Sequence, residues 1–526
     1  MKVLISDNLS EVGVKVFEEA PGFGVDVKVG LSEDELVEVI GGYEGMVVRS
    51  ATKVSSRVID AAGRLKVIGR AGVGLDNIDV EAASRRGVVV MNVPGGNSLS
   101  AAEHAIALMM ALSRNIAQAD ATMKEGKWEK KRFQGRELCG KTLGIIGAGR
   151  IGRIVADRAK GLRMGVVVYD PYINVEVLER MGFEPVSLDE LLRRSDYVSI
   201  HVPKSDETVG MIGEEEMRKM KRGAMLINCA RGGIVDEDAL YRVLREGHLG
   251  GAALDVFSTE PPGKIPLMEL PNFICTPHLG ASTREAQENV ARQIAEQMVD
   301  YLLHGTVKNA VNMPSISSEL LNVLRPYAML AEKIGMFHSQ LVETPIEGGQ
   351  ITYKGTITSY DLSPITTALL KGLLSKVVGE EVNFVNAPLI AKDRGIEVME
   401  SKTERSEDFA SLISVKVKAS EGENIISGTI FGKTMSRLLR INNFYLEAVP
   451  EGHMLLIHNE DIPGVIGKIG SVLGKHNVNI QRMHVGQERE KRQNVILLST
   501  NVSVQEELLN ELKGMPHIFS ARKIEL

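Results

Sequence analysis

The 526-residue sequence predicts an α/β protein in which two parallel-sheet units are followed by two smaller α+β units. Short Val/Ile runs alternate with helical patterns from Lys2 to Asn92 and again from Thr142 to Thr276, the rhythm of βα units around parallel sheets. A glycine-rich turn sits between strand and helix at the start of the second stretch. Beyond Pro450 the order is strand, helix, strand, strand, helix, strand. The length also asks for several cores, since one domain per ~150 residues is the usual expectation.

Element by element, the first unit should hold strands at 3–6, 45–49, 65–69 and 88–92, with a helix at Glu33–Ile40. A longer helix at 101–116 leads to a basic segment, 124–132. The second unit should hold strands at Thr142–Ile146, 166–169, 197–202, Met225–Asn228, Gly251–Leu254 and Phe273–Cys275. Past Asn312-Met313-Pro314 a mixed segment runs to about Pro450, with Gly428, Gly432, Asn442 and Asn443 as turn signals. Lys433, Arg437 and Arg440 read there as a solvated helix face, the alternative being an anion site. The last unit has strands at 453–458, 478–485, 495–500 and 521–524 and helices at 465–476 and 505–513, the βαββαβ order of a ferredoxin-like sandwich.

Composition narrows the function classes. Hydrophobic residues at 44% and charged residues at 25% are those of a folding globular chain. With 62 basic against 68 acidic residues the net charge is -6, so no global field draws nucleic acid or an anionic membrane. Cys139, Cys229 and Cys275 are odd in number and contain no CxxC pair, which speaks against a disulfide framework and a metal site and for a reducing, cytoplasmic home. The N-terminal segment runs straight into a strand pattern without the apolar stretch of a signal peptide. The most apolar helical stretch, 101–112, contains Glu103 and His104 and falls short of the ~20 residues that span a bilayer, so no transmembrane segment is expected.

Gly147-Ala148-Gly149-Arg150-Ile151-Gly152 is a GxGxxG directly after an apolar strand and before a helix. Such glycines permit a tight turn and close approach of a pyrophosphate, whose charge the helix N-terminus favours. The next strand ends at Asp170, where a carboxylate grips ribose hydroxyls and repels a 2′-phosphate, so NAD is expected over NADP. Three further strands lead into 228–233, 259–262 and 276–280, which should crowd the carboxyl edge of one sheet. Arg231, Glu260 and His278 lie in them: an Arg fork for a carboxylate, an imidazole to take a hydroxyl proton, and a carboxylate to orient that imidazole. Any one alone reads as a structural pair or a capped loop. Together, beside a cofactor turn, they point to oxidation of a 2-hydroxy acid.

These residues resemble the Arg, Glu and His signatures of the D-2-hydroxyacid dehydrogenase family. The resemblance implies a Rossmann-like NAD domain (98–288) inserted in a flavodoxin-like substrate domain (1–97 plus 289–312), with an intervening domain (314–450) and a C-terminal ACT domain (451–526). It implies that Arg231 binds substrate, that His278 is the general acid/base and that Glu260 supports it. Arg150, Ile151, Asp170, Val202, Cys229, Ala230, Arg231, Asp255, His278, Leu279, Gly280 and Ala281 match positions that line NAD in relatives. The stretches 48–54, 69–77 and 97–103 are similar to the branch that acts on 3-phosphoglycerate, which implies substrate contacts at Arg49, Ser50, Arg70, Gly72, Val73, Gly74, Asn97 and Arg132. Arg49 and Arg70 each follow an apolar strand at the expected cleft edge, where guanidinium groups meet a phosphate ester's charge; Gly72, Val73 and Gly74 offer N–H groups to a carboxylate. Lys131 reads as a solvated surface charge, and Arg132 is divided between that reading and the site.

The inserted topology gives two chain crossings beside the cleft, a hinge whose closure excludes water. Residues 457–467 and 477–480 carry the ACT resemblance, which places L-serine as an effector near Asn459, Asp461 and Asn479 at a helix start. A homo-oligomer, dimer or tetramer, is expected. Two other readings stay open on sequence: a reductase of hydroxypyruvate, glyoxylate or 2-oxoglutarate, and an NAD-sensing corepressor-like binding protein.

Overall fold

The computed structural model describes residues 1–314, 318–406, 408–488 and 492–526. The segment 315–317, where the sequence separates the two parallel-sheet units from the tail, lies outside them.

β1 (Lys2–Ile5), β2 (Gly24–Val27), β3 (Gly45–Val48), β4 (Val67–Arg70) and β5 (Val89–Met91) form a parallel sheet in the order β2-β1-β3-β4-β5, the flavodoxin-like arrangement. All four residues of β3 are buried, as a strand covered on both faces requires. Helix Glu33–Ile40 starts on a capping box, Ser32 with Glu35, and buries Leu36 and Ile40. The opposite face is closed by helix Glu11–Glu19 together with Arg284–His304, a helix from far along the chain. Those two helices touch at Gly13, where a Cβ would stand 2.7 Å from the Ala291 carbonyl oxygen. The returning chain then pairs with β5, Val311 N–H donating to Val90 O at 2.9 Å. Thr283 caps helix Arg284–His304, so the 288/289 division read from sequence falls within the first turns of that helix.

β6 (Thr142–Ile146), β7 (Gly165–Tyr169), β8 (Glu184–Pro185), β9 (Tyr197–Ile200), β10 (Met225–Asn228), β11 (Gly251–Leu254) and β12 (Phe273–Cys275) form a second parallel sheet, β12-β11-β10-β9-β6-β7-β8. Strand order reverses between β6 and β9, which opens a crevice at the carboxyl ends of both. The helix expected at 101–116 is two helices, Ser98–Ser113 and Ile116–Lys124, because Asn115 takes a left-handed φ of 51° and redirects the chain while the apolar periodicity continues. The first begins at the residue after the crossing expected at 97/98.

β13 (Ile346–Gly355), β14 (Glu397–Thr403), β15 (Ser411–Ala419), β16 (Gly422–Phe431), β17 (Met435–Ile441) and β18 (Phe444–Ala448) form a mixed sheet, β14-β13-β15-β16-β17-β18, with helices Ser318–Leu341 and Ser363–Val378 packed on it. Two expectations are corrected here. Gly428 is no turn; it lies inside β16 where the register with β17 slips. Arg437 and Arg440 lie on β17 with Lys433 in the preceding turn, so the three form no helix face: their helical spacing is the chance product of a turn and an irregular strand.

β19 (His453–Glu460), β20 (Ile480–Glu488), β21 (Gln493–Thr500) and β22 (Ile518–Glu525) form an antiparallel sheet, β20-β21-β19-β22, covered on one face by helices Val465–Lys475 and Glu506–Lys513. Its other face is not free. Met454, Leu456, Val495, Leu497 and Ile524 belong to the same apolar core as Leu330 and Phe337 of helix Ser318–Leu341. The third unit in turn touches the first, Asn383 Nδ2 donating to Gly87 O at 3.1 Å and Arg85 pairing with Asp393 at 3.4 Å. Among the described residues no helix is long and apolar enough to cross a membrane.

Candidate active site

The turn after β6 gives each glycine a task. Gly147 takes φ 94°, and a Cβ there would stand 2.8 Å from His201 O. At Gly152 a Cβ would stand 2.0 Å from Gly147 O, so the helix Arg150–Gly161 lies against the strand end as only glycine allows. Gly149 opens on space with nothing within 4 Å, the room a pyrophosphate needs at a helix N-terminus. Asp170 follows β7; its Oδ2 accepts from Ala148 N at 2.8 Å, which fixes the carboxylate beside this turn. These residues fit NAD.

Between the two sheets lies a cavity of about 600 Å³. From the first unit it is lined by Arg49, Ser50, Arg70, Gly72, Val73, Gly74 and Asn97; from the second by Arg150, Ile151, Val202, Cys229, Ala230, Arg231, Asp255, Glu260, His278, Gly280 and Ala281. The structure thus gathers the catalytic and nearly all the substrate candidates around one space. Arg132 is the exception. It sits on the 3₁₀ turn Lys130–Arg132, outside the lining, paired with Glu129 at 2.8 Å.

Three guanidinium groups converge there. Arg70 is pushed down to about 10, first by burial and then by the like charges of Arg231 and Arg49, with Asp76 and Asp7 opposing. Its Nη1 donates to Ala71 O at 3.0 Å, while its buried Nε has no protein partner. Arg231 Nη1 donates to Ala230 O at 2.8 Å and its Nε lies 3.4 Å from Asp76, which reaches across from the first unit. Asn228 holds that loop from both sides, accepting from Ala230 N and donating to Arg231 O, each at 3.0 Å. A cleft with this surplus of positive charge suits a small polyanion. Asn97 adds a buried Oδ1 without a partner.

Opposite them His278 Nδ1 lies 2.7 Å from Glu260 Oε2, and Glu260 Oε1 accepts from Phe257 N at 3.0 Å. The carboxylate therefore fixes the imidazole with a proton on Nδ1 and leaves Nε2 as the acceptor. His278 has a left-handed φ of 55°. Asp255, fully buried, holds that conformation: its carbonyl accepts from His278 N at 2.9 Å, and its carboxylate accepts from Leu279 N at 2.7 Å and Gly280 N at 2.8 Å. Burial alone would raise the Asp255 carboxyl, but hydrogen bonds from His104, Thr276 and those two amides outweigh it and hold it below the ordinary range. Burial and then Asp255 push the Cys229 thiol up, away from the thiolate form.

Sequence reasoning missed Asp76, His104, Thr276 and His201. Asp76 and Thr276 lie inside stretches already singled out, and His104 lies on an apolar helix whose partner only the fold reveals. His201, beside Ser199 Oγ at 2.8 Å, is pushed down to about 4 by burial.

In the C-terminal unit Asp461 accepts from Asn494 Nδ2 at 2.8 Å and from Gln487, just before helix Val465–Lys475. Asn459, paired with Asn494 across β19 and β21, is buried, and the Oδ1 atoms of both asparagines lack partners. Asn479 does not join them. It precedes β20 at the far end of that helix, whose 11 residues separate the two ends by about 16 Å.

Three family models match: the NAD binding domain of D-isomer specific 2-hydroxyacid dehydrogenases over 106–280, the D-3-phosphoglycerate dehydrogenase intervening domain over 323–442 and the ACT domain over 453–517. Among solved structures, the NAD+-bound 3-phosphoglycerate dehydrogenase of Entamoeba histolytica is 34% identical with a TM-score of 0.51, covering 60% of this chain and 99% of that one. The D-3-phosphoglycerate dehydrogenases of Archaeoglobus fulgidus and Bacillus subtilis are 45% and 39% identical, each aligned over 100% of this chain and 100% and 99% of their own. With that identity from end to end, the chain belongs to the D-3-phosphoglycerate dehydrogenase family.

Proposed function

We propose that the chain oxidises 3-phospho-D-glycerate to 3-phosphohydroxypyruvate with NAD, the entry of triose carbon into phosphorylated serine synthesis. One observation carries the reading at the level of chemistry: Arg49, Arg70 and Arg231 face the His278–Glu260 pair across one cavity. The Gly147–Gly152 turn and Asp170 would hold NAD, with Ile151, Val202, Ala230 and Ala281 lining it, and the cofactor when bound would supply the acceptor for the hydride that leaves C2.

Arg231 binds the carboxylate and polarises the C2 oxygen, a charge-assisted contact for which it gives up Asp76. The amides of Gly72, Val73 and Gly74 add donors on the same side. Arg49 and Arg70 take the phosphate, whose two charges relieve the repulsion between them. As the C2–H bond breaks, His278 Nε2 accepts the hydroxyl proton and C2–O becomes a carbonyl. Glu260 steadies the imidazolium that forms. Asp170 would face the ribose and disfavour a 2′-phosphate. Closure about the crossings near Gly96 and Asn289, which are hydrogen-bonded at 3.0 Å, would exclude water.

The same proposal assigns 1–97 with 289–312 to substrate binding, 98–288 to the cofactor, 314–450 to the intervening domain and 451–526 to regulation. Asp461 and the partnerless Oδ1 atoms of Asn459 and Asn494 suit the ammonium of L-serine as effector. Exposed Met110, Ile116, Met123 and Trp128 support a homo-oligomer, and three unpaired cysteines suit the cytoplasm. The test is a panel of initial rates. With NAD and 3-phosphoglycerate, or in reverse with NADH and 3-phosphohydroxypyruvate, kcat/KM should exceed that for hydroxypyruvate, glyoxylate and 2-oxoglutarate by ~10-fold or more, the scale of one lost charged contact. Equal rates across the panel would favour the reductase reading, and negligible turnover with all of them the corepressor-like one.

A further inference from the structure

His104 lies outside the cavity lining, yet its imidazole is tied to the catalytic loop. Nε2 stands 3.2 Å from Asp255 Oδ1 and 3.0 Å from Thr276 Oγ1, with the side chain 19% exposed and Asp255 1%. Thr276 has one hydroxyl proton, and it goes to Asp255 Oδ1 at 2.6 Å. Thr276 Oγ1 and Asp255 Oδ1 are therefore both acceptors toward His104, and Nε2 must carry the proton they share. Four residues earlier on the same helix face, Ser100 Oγ donates to Gly280 O at 2.7 Å. Helix Ser98–Ser113 thus grips 276–280 at two points, and its first residue follows the crossing between the two units.

We infer that His104 is a positioning residue for the dehydrogenation: through Asp255 and Thr276 it holds His278 in the backbone conformation that aims Nε2 at the substrate hydroxyl. The physical need is plain. A left-handed φ at a non-glycine residue costs of order 1 kcal/mol and persists only where its surroundings over-determine it. Asp255 supplies that through its carbonyl, which accepts from His278 N, and its carboxylate, which accepts from Leu279 N and Gly280 N; a buried carboxylate anchors the two following amides only while its own position and charge are secured. His104 is the side chain that secures it from outside the loop. It also links the hinge to the catalytic group, because motion of the helix start is transmitted to 276–280 through Ser100 and His104.

The inference rests on His278 being the acid/base group, so the experiment separates the two. Full-length His104→Ala, His104→Gln, His104→Asn, His278→Ala and the double variant His104→Ala/His278→Ala are assayed for kcat and KM with 3-phosphoglycerate, for NAD affinity by calorimetry and for thermal midpoint. His104→Ala should lower kcat by roughly 10- to 100-fold with KM and NAD affinity within about 3-fold, the pattern of an interaction realised in the transition state. Gln, which carries an N–H donor at the reach of Nε2, should recover most of that loss; Asn, one methylene shorter, should not. In the His278→Ala background, removing His104 should cost less than about 2-fold, since its only route to the reaction is gone. Should His104→Ala not fold, the Gln and Asn pair decides on its own. Equal kcat for Gln and Asn, or losses that multiply in the double variant, would overturn the inference. High activity in His278→Ala alone would instead overturn the acid/base assignment beneath it.

Discussion

The proposed mechanism makes two demands of His278, a free Nε2 and a fixed ring, and the contact of Nδ1 with Glu260 meets the second. His278→Ala should therefore lower turnover with 3-phosphoglycerate by roughly 10²-fold or more while NAD affinity, measured by calorimetry, stays near that of the parent. Arg70 makes a different kind of prediction. Burial and two neighbouring guanidinium groups push it down to about 10, which means its charge opposes folding of the ligand-free protein. Arg70→Met should raise ligand-free stability by about 1 kcal/mol in denaturant titration and at the same time weaken 3-phosphoglycerate binding, a trade between function and stability. That Arg231, Glu260 and His278 meet at one cavity was legible in the sequence because their residue types are unusual beside strand ends. His104 and Asp76 were not, because what each does depends on a partner more than 150 residues away, and sequence spacing does not encode that.

Covered strands of the parallel sheets were legible to within about two residues, since they read as unbroken apolar runs, whereas the edge strands β2 and β8, largely exposed, were not. Helices Glu33–Ile40, Val465–Lys475 and Glu506–Lys513 were legible from their amphipathic spacing, but the split at Asn115 escaped because one residue's φ reverses the chain without interrupting the hydrophobic pattern. Arg437 and Arg440 show the opposite error: charges at helical spacing on a strand whose register slips. Packing between elements is where the sequence was silent. Gly13 is the contact point of helices Glu11–Glu19 and Arg284–His304, with a Cβ site 2.7 Å from a backbone oxygen that has no freedom to move. Gly13→Val should drive those helices apart and cost about 1–3 kcal/mol in urea unfolding. If stability is unchanged, that helix pair is not the rigid closure of the first sheet.

Across the whole molecule, acid should act through the tail. His338 is fully buried on helix Ser318–Leu341, contacts Val415 O at 3.2 Å through Nε2 and is pushed down to about 4 by burial, against an opposing contribution from that hydrogen bond. With an unfolded value of about 6.5, the unfolded chain binds this proton first, so the contribution of neutral His338 is full above pH 6.5 and lost as pH falls toward 4. His338→Gln, which keeps a donor for Val415 O, should shrink the stability difference between pH 7.5 and pH 5 by about 2 kcal/mol. The regulatory reading is tested at the same scale. L-Serine at millimolar concentration should bind the full-length chain by calorimetry and slow it, and Asp461→Ala should abolish both; coupling of about 1–3 kcal/mol is the usual range. Serine that neither binds nor inhibits would leave the C-terminal unit as an assembly module.

The first sheet's dependence on helix Arg284–His304 also sets an order of events during synthesis. Val3, Ile5, Val47, Val67 and Val89 share their core with Val290, Ala291, Ile294 and Met298, which leave the ribosome roughly 200 residues after β5. At about 5–20 residues per second that is a wait of roughly 10–40 s. During it the entire second sheet can emerge and fold while one apolar face of the first is covered by helix Glu11–Glu19 alone. The nascent chain therefore completes its second sheet before its first, and the half-built first sheet is the species a ribosome-associated chaperone would have to shield.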